Sequence, residues 1–200
     1  MSTQHPTTVP HWTHNHEARR IRDDDVEVAE LITGQRIESY ADGRTHDVVL
    51  KDEHDSWDAM EIGVRAELSV ADALDLEPLE VLDLHVSEKG DDGSDLVLPN
   101  GYGHRLDIKS HEAMPTGTPP KLLVKTDVVH SDDPADAYVL TQVWGDDHAV
   151  IHGWTTRRDL LNDGRVEGPP HGWRNWNRVL DAEDLRPVEE LREWVDGGAL

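Results

Sequence analysis

The stretch from Ser56 to Leu76 constrains the fold more than any other part of the chain. Val64, Leu68, Ala71 and Leu74 recur at the 3.6-residue period, so the stretch is expected to be a helix with one apolar face. Such a face has to be covered, and a sheet built from the strand-like runs around it is the natural cover. Glu67 falls on the same face, three residues after Val64 and four before Ala71. A carboxylate there costs stability unless something pairs with it.

The strand-like runs are short. His46–Lys51 and Leu79–His85 are candidates, and Asp95–Leu98 and His104–Ser110 flank the turn-forming run Pro99-Asn100-Gly101-Tyr102-Gly103 as a hairpin. Lys121–Thr126, Asp136–Trp144 and His148–Trp154 follow, the last two joined by Gly145-Asp146-Asp147. Asp25–Ile37, with Val26, Val28, Ala29, Leu31 and Ile32, reads as a strand or a short helix. Thr155 or Thr156 can cap a helix running to Leu161, and a last helix is expected over Pro187–Val195. Together these predict an α/β fold: a central mixed β-sheet of four to five strands flanked by helices. Residues 1–20 are expected to form a flexible His-rich arm and residues 21–200 a single domain.

Charge bears on what the chain can bind. Asp and Glu number 42 against 19 Lys and Arg, a formal net charge of −23, and the acid is spread along the whole chain. That pattern fits a protein of a salt-accumulating cell, where the Debye length falls to about 3 Å at 1 M salt and self-repulsion is screened. Under such screening acidity does not exclude a DNA partner, although phosphate contacts drive DNA binding at low salt. Cysteine is absent, which removes disulfides, thiolate metal sites and thiol nucleophiles. No apolar run approaches the roughly 18 residues of a membrane helix and no signal-peptide core opens the chain, so a cytoplasmic protein is expected.

The chemistry-bearing residues sit on the first hairpin. Side chains alternate along a strand, so Leu106 and Ile108 point one way while Asp107 and Lys109 point the other way together. Only five residues of the chain are Lys, which makes one placed beside Asp107 harder to read as surface decoration. Asp95 opens the preceding strand, and pairing of the two strands brings its carboxylate beside Asp107. Two carboxylates that close repel unless one is protonated or a cation lies between them. Hard oxygen donors favour Mg²⁺ or Mn²⁺, and Glu67 supplies a third carboxylate.

An acidic residue on a helix, an Asp opening a strand and then Asp-x-Lys on the next strand resembles the PD-(D/E)XK, or restriction-endonuclease-like, nuclease superfamily. The carrying stretches are EIGVRAELSVADALDL, GSDLVLPNG and HRLDIKS, followed by DAYVLTQVWGDDHAVIHGWTTRRDLL and DLRPVEELREW. They look like versions found in phage and virus proteins, and with the acidity they suggest a haloarchaeal virus or integrated element. The resemblance implies a Mg²⁺- or Mn²⁺-dependent deoxyribonuclease, endo- or exonucleolytic, on a restriction-endonuclease-like core. It implies that Asp95, Asp107 and the backbone carbonyl of Ile108 ligate the cation. Glu67 would serve a second cation or the water carried by the first, and Lys109 would orient the attacking water. Gln142 falls where some members use a Gln. Ser94 precedes Asp95 where the motif's name has Pro.

Other features have plainer readings. His5, His11, His14 and His16 could hold a transition metal, but the Pro- and Thr-rich setting favours a tail. Trp173, Arg174, Trp176 and Arg178 could stack on bases, with a local core patch as the favoured alternative. Thr155, Thr156, Arg157 and Arg158 could meet phosphate at a helix start. The rival functions are an inactive nucleic-acid-binding protein on the same fold and a viral structural or assembly protein. DNA is the expected partner, no membrane is, and a homodimer is compatible with the reading.

Overall fold

The computed structural model describes residues 17–41, 53–82, 94–99, 103–112, 119–145, 148–168 and 176–197. The strand expected over His46–Lys51, the four His of the arm, and Trp173 and Arg174 lie outside these residues.

Helix α1 (Asp23–Ala41) settles the first ambiguity in favour of a helix. Asp23, Asp24 and Asp25 fill its first turn, where the exposed N–H groups favour negative charge. Ala29, Ile32 and Thr33 face inward while Leu31 stays 63% exposed, which is helical rather than strand-like spacing. Helix α2 (Glu53–Ala73) holds most of the expected stripe, with Val64, Leu68 and Ala71 buried, and Leu74 is buried in the turn just past its end. Every residue from Val64 to Ala71 is buried, Arg65 and Glu67 included. A helix enclosed all round at this level needs cover on more than one side, and α1 and the sheet supply it.

The run expected as a strand from Leu79 begins instead as the single-turn helix α3 (Pro78–Val81). Pro78 occupies the first helical turn, where its missing N–H is tolerated. Only Leu82 bridges to the sheet, opposite Leu96, and residues 83–85 lie outside the described set.

Among the described residues there are eight strands: β1 (Glu17–Arg20), β2 (Leu96–Val97), β3 (Arg105–Glu112), β4 (Lys121–Lys125), β5 (Ala137–Trp144), β6 (His148–Thr156), β7 (Arg165–Glu167) and β8 (Asn177–Asp181). Five form a mixed sheet in the order β1-β6-β5-β3-β2, with β3 and β5 parallel and the other pairs antiparallel. That matches the expected sheet in kind and strand number. The last four residues of the expected arm, Glu17–Arg20, are its edge strand β1, pinned to β6 from Glu17↔Ile151 to Arg20↔His148. A second, three-stranded antiparallel sheet, β4-β8-β7, was not anticipated.

The central sheet is covered on both faces. Leu106, Ile108 and Val139 join Val64, Leu68 and Ala71 in one core on the helical side. Tyr138 and Leu140 join Leu122, Val124, Leu160 and Leu180 in another beneath the second sheet. Covering both faces explains why β5 is buried from Ala137 to Val143 with no polar alternation. The one-turn helix α4 (Thr126–Val129) follows β4, and Thr156 caps helix α5 (Arg157–Asp163), its hydroxyl accepting the Asp159 N–H at 3.1 Å. Helix α6 (Val188–Gly197) closes the chain, burying Val188, Leu191, Trp194 and Val195.

One irregularity interrupts the central sheet. The β5–β6 register shifts between Leu140 and Thr141, and Gly153 at the shift has φ 140°. A Cβ on Gly153 would stand 2.5 Å from the Arg186 carbonyl oxygen. The bulge therefore requires glycine twice over, for its backbone angle and for the close approach.

Candidate active site at the end of the β2–β3 hairpin

The hairpin register is Leu96↔Leu106 and Val97↔Arg105. One step further along it sets Asp95 opposite Asp107, as the sequence predicted. Strand β2 itself is only two residues long, and Asp95 lies in the bend just before it. Its own N–H still donates to the Leu106 carbonyl at 2.8 Å. Its carboxylate then accepts the N–H of Ile108 at 2.5 Å. Because β3 runs on past the end of β2, that amide would otherwise face an open sheet edge. A strand that stops early thus anchors its carboxylate on the neighbouring backbone.

Asp107 is buried, with its side chain on the face opposite Leu106 and Ile108. The Lys109 ammonium lies 2.6 Å from Asp107 Oδ1 and is itself one-third exposed. Alternation along β3 brings the two together. On β5 the in-register neighbours are Tyr138 beside Asp107, Leu140 beside Lys109 and Gln142 beside His111. Burial raises the Tyr138 phenol well above its usual range and the Asp107 charge adds to it, so this residue stays protonated.

Glu67 arrives from α2, on the helical side of the sheet. Its buried charge needs a partner. The structure supplies a protein partner: Arg36 on α1 grips both carboxylate oxygens, Nη1 to Oε1 at 2.8 Å and Nη2 to Oε2 at 2.9 Å. Nothing local flags this pair, whose members stand 31 residues apart.

Asp95 is where these charges meet. Its carboxyl is pushed well above the ordinary range, first by burial and then by the negative charges of Glu67 and Asp107. The Lys109 charge and the Ile108 N–H pull the other way without prevailing. Three carboxylates from two faces of the sheet therefore act on one another around its edge. Their donors are the hard oxygens that suit Mg²⁺ or Mn²⁺, and a cation among them would relieve the repulsion at Asp95. Among the described residues no three acidic or His side chains stand in a ready-made ligand arrangement. With Glu67 held by Arg36 and Asp107 by Lys109, cation binding requires side-chain rearrangement.

The remaining expected site residues are placed as follows. Gln142 shares the face of Asp107 and Lys109, but its amide oxygen is held by His152 Nε2 at 2.9 Å in a buried pair. Alternation after Ile151, which joins the helical-side core, sets His152 on that face, a pairing the sequence did not signal. The Ile108 N–H, as described, donates to the Asp95 carboxylate. Trp176 is 58% exposed, against the favoured reading of a core patch, and Arg178 bonds the Gly164 carbonyl. At the α5 start Arg157 Nε bonds the Val129 carbonyl, Thr155 is buried and Arg158 is exposed. No helix among the described residues is long and apolar enough to cross a membrane. No family model, curated protein or solved structure matches the chain.

Proposed function

We propose that this chain is a Mg²⁺- or Mn²⁺-dependent nuclease of the PD-(D/E)XK kind, acting on DNA. The observation that carries the reading is electrostatic and geometric at once. Asp95 stands opposite Asp107 at the end of a two-residue strand, feels Glu67 from the helical side, and is driven up by them. A buried group so perturbed by its neighbours marks a site more often than a scaffold.

A divalent cation, when bound, would stabilise the charge developing on the phosphate and favour the hydroxide form of water. The protein's own part is distributed. Asp95 and Asp107 would hold the cation from adjacent strands, and the Ile108 N–H fixes the Asp95 carboxylate in place. The Lys109 ammonium, partly open to solvent beside Asp107, would orient the attacking water and lower the cost of its deprotonation. Glu67 completes the carboxylate set. Gln142 lies further along the same face, its amide oxygen held by His152. The restriction-endonuclease-like core belongs to this proposal, supported by the order helix, short strand, Asp-x-Lys strand.

The test is cleavage of linear, circular and single-stranded DNA in molar KCl with Mg²⁺ or Mn²⁺. Wild type should cut and Asp107→Ala should not. Equal activity in the two proteins, or none in either, overturns the proposal.

A further inference from the structure

We propose that Arg36 is a positioning residue of this site: its guanidinium holds Glu67 in the metal-free protein, and a divalent cation reaches Glu67 only by displacing it. The inference rests on the nuclease reading for the existence of a cation site. The exchange itself follows from the geometry of the pair.

Both carboxylate oxygens of Glu67 are taken by Arg36 in a parallel, two-bond fork. This is the strongest arrangement a guanidinium makes with a carboxylate. The side chains retain only 19% and 4% of their exposure, so water screens the pair weakly. A divalent cation needs carboxylate oxygens at roughly 2.1 Å. It cannot take that position while two N–H groups of like charge occupy the same fork. One cation must give way to the other.

The placement gives the exchange a purpose. Glu67 acts on the charge of Asp95, which stands opposite Asp107. Without a cation, Arg36 neutralises the carboxylate that comes from the helical side, while Lys109 does the same for Asp107. Arg36 is thus the resident counter-ion of α2, and α1 is the element that delivers it. Once displaced, its guanidinium is left beside the site with a shape suited to a phosphate.

Calorimetric titration of Mn²⁺ into the full chain tests this as a double-mutant cycle. Working near 2 M KCl confines charge effects to contacts, since the Debye length there is only about 2–3 Å. Arg36→Met should bind Mn²⁺ about tenfold tighter than wild type. Glu67→Gln should abolish that gain, leaving the double variant within about twofold of Glu67→Gln alone. Circular dichroism checks the fold of each protein. If Arg36→Met does not fold, Arg36→Lys, which keeps the charge and gives up the fork, should still bind about threefold tighter than wild type. Wild-type affinity in the folded Arg36 variant, or a gain that survives in the Glu67→Gln background, overturns the proposal while leaving the nuclease reading standing. Absence of Mn²⁺ binding in every protein, wild type included, overturns both.

Discussion

Two clusters of charge on this protein are built from the same residue types and behave in opposite ways. On the outer side of the second sheet, Arg165 bonds Asp181 at 2.7 and 3.0 Å and Glu167 at 2.6 Å, with Lys121 within 4 Å of both acids. Two acids meet two bases in open water. The hydrogen bonds from Arg165 hold the carboxyls of Glu167 and Asp181 below their usual range, and Arg165 itself is raised. At the hairpin end three carboxylates face Arg36 and Lys109, and Asp95 is driven upward. The exposed cluster is content and contributes little, as surface ion pairs do. The buried one concentrates like charge where water cannot dilute it. Selection for stability alone favours the first pattern, and the cation site proposed above would account for the second.

The comparison can be broken most severely through activity. Asp107→Ala should lower the DNA cleavage rate by about 10³-fold or more, and Lys109→Ala by about 10²- to 10³-fold. Both are read from initial rates in molar KCl with Mn²⁺. Removing Arg165 from the exposed cluster should leave the same rate unchanged.

The frame behind the site is the next place to press. Gly153→Ala must accommodate a Cβ 2.5 Å from the Arg186 carbonyl at a backbone angle that disfavours side chains. A loss of about 3 kcal/mol is expected by denaturant unfolding. A variant that unfolds at the wild-type midpoint contradicts the bulge as described.

A smaller effect separates the two clusters by sign. Asp95→Asn should stabilise the metal-free protein by about 1 kcal/mol at pH above the raised pKa, because it removes a carboxyl whose ionised form is opposed by burial and by its neighbours. The folded-state pKa of Asp95 lies above its unfolded value, so the folded state binds this proton more tightly. Its charge therefore costs nothing below the ordinary carboxyl range and the full amount above the raised pKa. The stability gap between Asp95→Asn and wild type should accordingly widen as pH rises through that window. Asp181 is depressed, so its contribution runs the other way: present above the ordinary carboxyl range and lost as acid protonates it. The smallest effect belongs to Arg165→Ala, whose melting temperature in molar salt should match wild type.

Much of this was legible in the sequence, and the limits have physical causes. Helix α2 announced itself through its 3.6-residue stripe. Alternation alone put Asp107 beside Lys109, and a hairpin turn between two short runs set Asp95 opposite Asp107. These are local rules with one solution each. Helix α1 was ambiguous because Val26 and Val28 alternate like a strand while Ala29 and Ile32 space like a helix. The run at Leu79 looked extended, but Pro78 started a turn of helix. The second sheet went unseen because β7 and β8 are short and largely polar, with Arg165, Glu167, Asn177, Arg178 and Asp181 among their eight residues. Arg36 could not be found at all: its meaning depends on how α1 packs on α2. The His152–Gln142 pair depends in turn on the pairing of β5 with β6, which only the folded backbone displays.

Diffraction from crystals soaked in Mn²⁺, recorded at a wavelength where manganese scatters anomalously, tests the central claim most directly. The account predicts a single strong peak at the hairpin end, roughly 2.0–2.2 Å from carboxylate oxygens of Asp95 and Asp107, and its disappearance in Asp107→Asn crystals. A peak-free hairpin end in well-occupied wild-type crystals, or manganese bound only elsewhere, contradicts it.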